Sequence, residues 1–391
     1  MSDKAPNNSS PHKTPLKRIF SEAQRQEILA DLRQHALAEG FEHVGIASID
    51  LAQDAERFKA WLSRGFHADM DYLAKHGEKR YRPELLIPGT LSIICVRLNY
   101  LIPGVESIGV LKDPNKAYIS RYALGRDYHK IMRQKLKRLT STLQSAWGDF
   151  GYRVFTDSAP VLEKPLARQA GLGWMGKHTL ILDKTAGSWF FLGEIFTDLP
   201  LPVSDPVAPS CGKCKACITV CPTQAIVAPY QLDAGRCISY LTIENKGPIP
   251  KALRPLIGNR IFGCDDCQLV CPWNRWAQTT HEMDFTPRNG LDTPSIDALL
   301  HWDANDFLRR TEGSPIRRTG YFGWVRNLAV AASNAPASQR LTQSLKTKLN
   351  QLNNNQSTTS NGNAPTWLLE HLEDAINKQM TKISDHPNPT P

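Results

Sequence analysis

Two short stretches dense in cysteine most constrain what this chain can fold into. The first reads CGKCKACITVCP at 211–222 and the second CDDCQLVCPWN at 264–274, and each contains a Cys-Pro pair. A zinc ribbon uses two well-separated cysteine pairs, because its four ligands form one tetrahedron. Three cysteines within seven residues fit that pattern poorly, but they fit three corners of an iron–sulfur cube. The fourth cysteine of such a run ligates the other cluster in two-cluster ferredoxins.

The cysteine count then predicts two 4Fe–4S clusters. The second stretch supplies only three thiols, and the cysteine of GRCISY is the natural supplement. We assign one cluster to Cys211, Cys214, Cys217 and Cys271, and the other to Cys221, Cys237, Cys264 and Cys267. Cys95 is left over in an apolar run as a small buried hydrophobe. An odd total of nine cysteines argues against a closed disulfide set and favours a reducing compartment.

Alternating strand and helix patterns over roughly 20–200 predict an α/β (α+β) domain. LSIICVRLNY at 91–100 is typical of a buried strand, and 126–148 predicts a long amphipathic helix. TLILD and SWFFLGEIF predict a hairpin about the turn at 184–187. We expect the following parts: a disordered tail at 1–20, the α/β domain at 21–205, a ferredoxin-like domain at 206–285, a short helical-repeat region at 286–380 with a low-complexity loop at 352–364, and a tail at 381–391.

Charge and hydropathy narrow the possible partners. No apolar run approaches the roughly 20 residues of a membrane span, and the polar N-terminus lacks the apolar core of a secretory signal, so we expect a cytoplasmic protein. The formal charge of +9 fits either simple solubility or a polyanionic partner such as nucleic acid. The basic, tyrosine-containing run at 116–139 is either a solvated helix face or a surface that holds phosphates and stacks bases.

Chemistry-bearing residues are dense at 154–182. Asp157 follows a predicted strand, where α/β folds tend to place ligands, and its carboxyl is a candidate proton donor, although aspartate is also common in turns. Gly171, Gly173 and Gly176 lie in a loop that could approach a flat or phosphorylated ligand. Lys177 and His178 could bind anionic groups or simply cap.

Several motifs together resemble one known family. They are RYALGRDYHK, DSAPVLEKPLARQAGLGWMGKHTLIL, CGKCKACITVCPTQAI, RCISYLTIE, GNRIFGCDDCQLVCPWN and RNLAVAASNA, and they span about 20–335. This set is similar to the epoxyqueuosine reductases, a family related to reductive dehalogenases. The resemblance implies reduction of epoxyqueuosine to queuosine at the tRNA wobble position. It also implies cobalamin in the α/β domain, electron flow from two 4Fe–4S clusters to cobalamin, and Asp157 as proton donor.

The resemblance also implies binding residues. Cobalamin contacts are expected from Arg80, Ser120, Arg121, Tyr122, Asp157, Ser158, Trp174, Lys177 and His178. Contacts to tRNA are expected from Lys135, Lys137, Arg138, Arg317, Arg318 and Arg326, with HEAT-like helices beside the anticodon stem. Asp127-x-His129 begins like the corrinoid motif D-x-H-x-x-G, but Met132 stands at the glycine position, so no histidine-ligated cobalt signature is present.

Partners and alternatives follow from the same features. We expect a monomer that receives electrons from an external donor and has no membrane partner. A corrinoid reductase of a small molecule, like a dehalogenase, would explain the clusters and Asp157 but not the basic face. A plain electron carrier would leave Asp157 and the glycine-rich loop without a task.

Overall fold

The computed structural model describes residues 21–354 and 363–385. The predicted tail at 1–20, most of the low-complexity loop and residues 386–391 lie outside them. The strands of the described residues are β1 (His43–Ala47), β2 (Ser92–Asn99), β3 (Tyr118–Ile119), β4 (Tyr152–Phe155), β5 (Trp174–Met175), β6 (Ile181–Leu182), β7 (Phe190–Thr197), β8 (Ile226–Ala228), β9 (Gln231–Leu232) and β10 (Arg260–Phe262).

Helices surround these strands and dominate the C-terminal part. The α-helices of the described residues are α1 (Glu22–Ala38), α2 (Ala52–Ser63), α3 (Tyr72–Lys75), α4 (Pro83–Leu86), α5 (Ser107–Lys112), α6 (Tyr128–Trp147), α7 (Glu163–Gln169), α8 (Ala216–Val220), α9 (Ile238–Ile243), α10 (Arg254–Ile257), α11 (Asp266–Leu269), α12 (Ile296–Leu300), α13 (Ala304–Arg310), α14 (Gly320–Asn334), α15 (Gln339–Asn354) and α16 (Thr366–Asp385). Within the described residues, every helix is too short or too polar to cross a lipid bilayer.

The main sheet has the strand order β1-β2-β7-β4, and all three of its pairings are antiparallel. The N-terminal domain is therefore α+β rather than a parallel α/β sheet. All eight residues of β2 are buried, as the apolar run predicts. Helix α6 packs on β7, where a side chain at Gly193 would lie only 2.8 Å from Met132 Cε. The absent Cβ thus lets the long helix approach the sheet closely.

The predicted hairpin about 184–187 is wrong in its strand pairing. Asp183 and Gly187 do form an isolated antiparallel bridge, so the chain turns where expected. Beyond that bridge the two strands separate: β6 pairs with β5, and β7 pairs with β2 and β4. The local turn pattern predicts that the chain reverses direction here. The longer, apolar β7 is nevertheless buried in the central sheet, where it pairs with two other strands.

The C-terminal helices do not form a core of their own. Residues of α12, α14, α15 and α16 share one apolar cluster with 117–124 and with β10. Strand β10 also pairs in parallel with β3, which belongs to the predicted N-terminal domain. The boundary expected at 285/286 therefore crosses a shared core. The last helix continues to Asp385, beyond the predicted end at 380.

Candidate active site

A cavity of about 380 Å³ opens between the main sheet and the cysteine-rich segment. Its walls include the phenol and phenyl rings of Tyr100, Tyr122, Tyr128, Phe190 and Phe191. Four of the predicted cluster cysteines also line it: Cys221, Cys237, Cys264 and Cys267. The carboxyl group of Asp157 lies on the same lining. One space therefore joins a group of four thiols to an acidic side chain across an aromatic wall.

A second cavity of about 200 Å³ gathers the other predicted set. Its lining includes Cys211, Cys214, Cys217 and Cys271. Lys177 fixes the loop that carries Cys211 and Cys214, because its Nζ donates hydrogen bonds to the carbonyls of Gly212 at 2.6 Å and Cys214 at 2.8 Å. The four cysteines come from two segments some fifty residues apart, as the crossed ligation of two-cluster ferredoxins requires.

The two sets of four cysteines lie close together. Burial, followed by the charge of neighbouring cysteines, raises the pKa of Cys267, and those neighbours include Cys217 of the other group as well as Cys237 and Cys221. In the described residues, no three Cys, His, Asp or Glu side chains converge on a site for a single metal ion. Cysteine thiols release their protons when metal binds, and four cysteines in each group match the four ligands of a 4Fe–4S cluster.

Asp157 occupies a strained backbone position at the cavity mouth. Its φ is +46°, a region that non-glycine residues rarely adopt outside functional sites. Its side chain is 61% exposed. One carboxyl oxygen, Oδ2, accepts a hydrogen bond from the hydroxyl of Tyr128 and lies 3.7 Å from Nε2 of His129. The strain thus holds the carboxyl against two groups at the start of α6.

The Asp127-x-His129 pair is part of this site. Asp127 is the N-cap of α6 and accepts from the backbone N–H of His129 at 3.0 Å. Its Oδ1 also lies 2.7 Å from Nδ1 of His129. The imidazole therefore lies between two carboxyl groups, with Asp127 next to Nδ1 and Asp157 next to Nε2.

Two glutamates lie behind Asp157, of which Glu194 is fully buried and Glu163 is partly exposed. Glu163 accepts the backbone N–H of Asp157 and contacts Glu194, which lies on β7 with no exposed surface. Neither carboxyl oxygen of Glu194 has a hydrogen-bond donor. Burial, and then the charge of Asp157, raises the pKa of Glu163 to about 8, while burial and Glu163 raise the pKa of Glu194 well above its ordinary value. A proton on this pair supplies the donor that the oxygens otherwise lack.

The expected cobalamin residues divide into two groups. Ser120, Tyr122, Asp157 and His178 line the larger cavity. The rest do not: Arg80, Arg121, Ser158, Trp174 and Lys177. Arg80 is buried and donates to the carbonyls of Leu73 and Tyr72, and Arg121 donates to Ser107 and Val105.

Packing explains why Trp174 and the glycine-rich loop do not line the larger cavity. Trp174 is fully buried against Cys211, Cys271 and Trp273, on the side of the smaller cavity. The glycine-rich loop packs on protein backbone: a Cβ at Gly173 would lie 2.2 Å from the carbonyl oxygen of Leu182, and one at Gly171 would lie 2.5 Å from that of Asp205. These two glycines allow close packing of the chain on itself and leave no room there for a ligand.

The expected tRNA residues also divide. Arg326 has no exposed surface, and its guanidinium donates to the carbonyls of Asn245, Gly247 and Leu241, so its assignment to tRNA contact is wrong. Lys135 is largely covered and pairs with Glu282 at 2.9 Å. Exposed positions remain at Lys137, Arg138, Arg317 and Arg318, and two of them pair with acids, Arg138 with Glu39 and Arg318 with Glu244.

Arg318 lies nearest the site. Its hydrogen bond to Glu244 and the charges of Glu244, Tyr72 and Asp157 raise its pKa. Tyr72 is in turn influenced by Glu244, Arg318 and Asp157, so these four side chains lie near one another. Tyr72 is 44% exposed there. Sequence reasoning passed over Tyr72, Glu163 and Glu194. It considered His129 only as part of a corrinoid-type motif and Tyr128 only within the basic run at 116–139. The only signal for them was proximity in sequence to the quoted motifs, because their partners come from distant segments.

Comparisons with known proteins agree on one family. A family model described as "Epoxyqueuosine reductase QueG, DUF1730" matches residues 80–158, and one described as "4Fe-4S double cluster binding domain" matches 210–274. The chain is 56% identical over 311 residues to an epoxyqueuosine reductase of Pseudomonas aeruginosa, covering 79% of this chain and 86% of that protein. It is 54% identical over 359 residues to one of Vibrio cholerae, covering 92% and 94%.

The fold is also similar to a solved structure. A crystal structure of epoxyqueuosine reductase with an epoxyqueuosine-modified tRNA-Tyr stem loop matches with a TM-score of 0.72 at 24% identity. The match covers 91% of this chain and 99% of that one. At this level of identity the likeness concerns the architecture alone.

Proposed function

This chain belongs to the epoxyqueuosine reductase family, and we propose that it reduces epoxyqueuosine to queuosine in tRNA with Asp157 as the proton donor. The observation that carries the proposal is the single cavity that joins four cysteines to the Asp157 carboxyl. The reaction takes up two electrons and two protons, converts the epoxide to the alkene and releases water. Identity of 56% to a reductase of this kind favours a tRNA substrate over a small halogenated molecule.

We propose that cobalamin binds at the larger cavity. His178 lines it, and its Nδ1 accepts the Leu180 N–H at 3.2 Å, so the neutral ring carries its proton on Nε2. Burial lowers the pKa of His178 to about 4, and this buried Nε2–H has no acceptor. The amide and phosphate groups of a corrin offer such acceptors, and Ser120 and Tyr122 would lie along its edge. When bound, cobalamin supplies a low-valent metal centre that can engage carbon, and the clusters supply single electrons.

Asp157 would deliver the first proton to the epoxide oxygen as the C–O bond breaks. Its exposed side chain reaches a substrate that enters from solvent, while the Tyr128 hydroxyl fixes one carboxyl oxygen. Glu163 fixes the backbone of the same residue through its N–H. Asp157 therefore lines the cavity with its backbone N–H and one carboxyl oxygen fixed by neighbouring side chains.

A second proton must follow, because the departing hydroxide leaves as water and one carboxyl carries only one proton. His129 lies 3.7 Å from Asp157 and keeps limited contact with solvent. The carboxylate of Asp127 lies 2.7 Å from the other ring nitrogen, Nδ1, and fixes the orientation of the imidazole. We infer that His129 returns a proton to Asp157 within each turnover, acting through Asp157 and not on the substrate itself.

The anticodon arm would meet the cavity mouth. Tyr72 offers an exposed ring on which a base can stack, and Arg318 offers a guanidinium for phosphate. Exposed Arg317, Lys137 and Arg138 extend the basic surface. In this proposal the C-terminal helices form a HEAT-like support beside the tRNA, and the protein works as a cytoplasmic monomer fed by an external electron donor.

Nucleoside analysis of tRNA tests the proposal. Asp157→Asn, reconstituted with clusters and cobalamin and reduced chemically, should bind tRNA normally and lose about 10²–10⁴-fold in turnover, as expected for removal of a general acid. Asp149→Asn, at an exposed loop position, is the matched control and should keep wild-type turnover. Full activity of Asp157→Asn would remove the assigned acid. A wild-type enzyme that leaves epoxyqueuosine unchanged would remove the function itself.

A further inference from the structure

We propose that the surface around Cys214 is the docking site of an acidic one-electron carrier protein. This inference rests on the proposed function, because it assumes that Cys211, Cys214, Cys217 and Cys271 hold a cluster. It adds the identity of the donor's binding face and its chemical class. The face is defined here as the carrier face and comprises Gly212–Lys215, Val220, Val227 and Tyr230.

The cysteine group at the smaller cavity contains the most exposed thiol. Cys214 is the only exposed residue among the nine cysteines, all of which the structure describes. The larger cavity opens at Asp157, on the side proposed for the substrate, and its Cys264 and Cys267 are less exposed than Cys214. Since electron transfer requires close approach, a protein donor that binds over Cys214 reaches the outer cluster first. The mouth of the larger cavity then stays free for the substrate.

Charge gives the chemistry of the partner. Residues 206–232 contain no Asp or Glu, and the only charged residues in that range are Lys213 and Lys215, which flank Cys214 and are both exposed. Arg275 adds an exposed cation on the turn after Cys271, and Arg64 adds another beside Gln231, at 2.7 Å. A one-sign basic rim attracts an acidic partner and accelerates its encounter.

Apolar side chains give the same face a contact centre. Val220, Val227 and Tyr230 are 36%, 45% and 48% exposed. The Tyr230 N–H donates to the carbonyl of Lys177 at 3.0 Å, and the Lys177 side chain holds the Gly212 and Cys214 carbonyls. The hairpin that carries Tyr230 and the cysteine loop are therefore tied through one lysine. A small apolar centre with a charged rim is the build of transient redox interfaces, which bury little area.

A binding assay tests the carrier face without relying on turnover. A purified acidic flavodoxin serves as the probe, and its affinity for the cluster-loaded enzyme is measured calorimetrically at about 50 mM and about 500 mM salt. Lys213→Glu/Lys215→Glu should weaken binding about tenfold or more at low salt, and the difference should shrink at high salt as the charges are screened. Lys112→Glu/Lys346→Glu, which changes net charge equally at exposed positions on α5 and α15, should bind like wild type.

Reduction kinetics separate this inference from the proposed function. With dithionite as reductant, the Lys213→Glu/Lys215→Glu variant should keep wild-type iron content and turnover, whereas reduction by flavodoxin should slow about tenfold. Loss of turnover with both reductants in the wild-type enzyme would count against the proposed function instead. Equal flavodoxin affinity in both double variants, or binding that is independent of salt, would overturn the carrier face.

Discussion

The substitution Glu194→Gln tests whether the buried glutamates carry protons at neutral pH. Glu194 has no exposed surface and lacks a donor on either oxygen, and the pKa of its partner Glu163 is raised by burial to about 8 against an ordinary 4.5. The folded protein therefore binds these protons more tightly than the unfolded chain does. The stabilisation that these protons provide is fully present below about pH 4.5 and is lost as pH rises towards 8.

The size of the effect follows from that linkage. Each proton retained only by the folded state lowers the free energy of unfolding by about 1.4 kcal/mol per pH unit, or about 4 kcal/mol between pH 5 and 8. Unfolding entropy of roughly 2.1 cal/mol/K per residue converts this, for a chain of this length, to about 4–5 °C in Tm. Glutamine is neutral at both pH values and isosteric, so Glu194→Gln removes one such proton from the balance.

Anaerobic thermal scans of the loaded enzyme at pH 5 and pH 8 provide the measurement. The Tm of Glu194→Gln should equal that of wild type near pH 5 and exceed it at pH 8, by about 4–5 °C for a proton that the folded state keeps over that whole range. Glu56→Gln, whose side chain is 74% exposed, is the control and should follow wild type throughout. Parallel curves for Glu194→Gln and wild type would refute the reasoning, because they would mean that Glu194 is ionised in the folded protein.

Three further predictions concern the site and its framework. His129→Asn should lower kcat about 10–100-fold with little change in KM, with partial rescue by added imidazole; an unchanged kcat would exclude the relay. Cys264→Ser should lose about half of the bound iron by metal analysis, whereas Cys95→Ala should lose none, since Cys95 lies in the sheet. Gly193→Ala should cost about 1–3 kcal/mol of stability in denaturation, because its Cβ would meet Met132 at 2.8 Å and Leu136 at 3.0 Å; an unchanged midpoint would mean that α6 can move away.

Regular local patterns accounted for the elements that could be anticipated. The apolar run at 91–100 forms the buried β2, and the helical spacing at 126–148 forms α6. The expectation that Asp157 lies at a ligand site came from a rule for parallel sheets, although the sheet is antiparallel. The carboxyl nevertheless lines the cavity, because the chain turns out of β4 at a strained residue.

By itself, the sequence determined the spacing of the thiols, the periodicity of the main helices and the family resemblance, since these are read from residues near one another in the chain. Only the tertiary structure decided which side chains meet. It brought His129 beside Asp157 and Glu194 beside Glu163, and it buried Arg326, which the sequence offered as a surface cation. The physical reason is that charge and composition give no information on burial, which depends on packing between segments far apart in the chain.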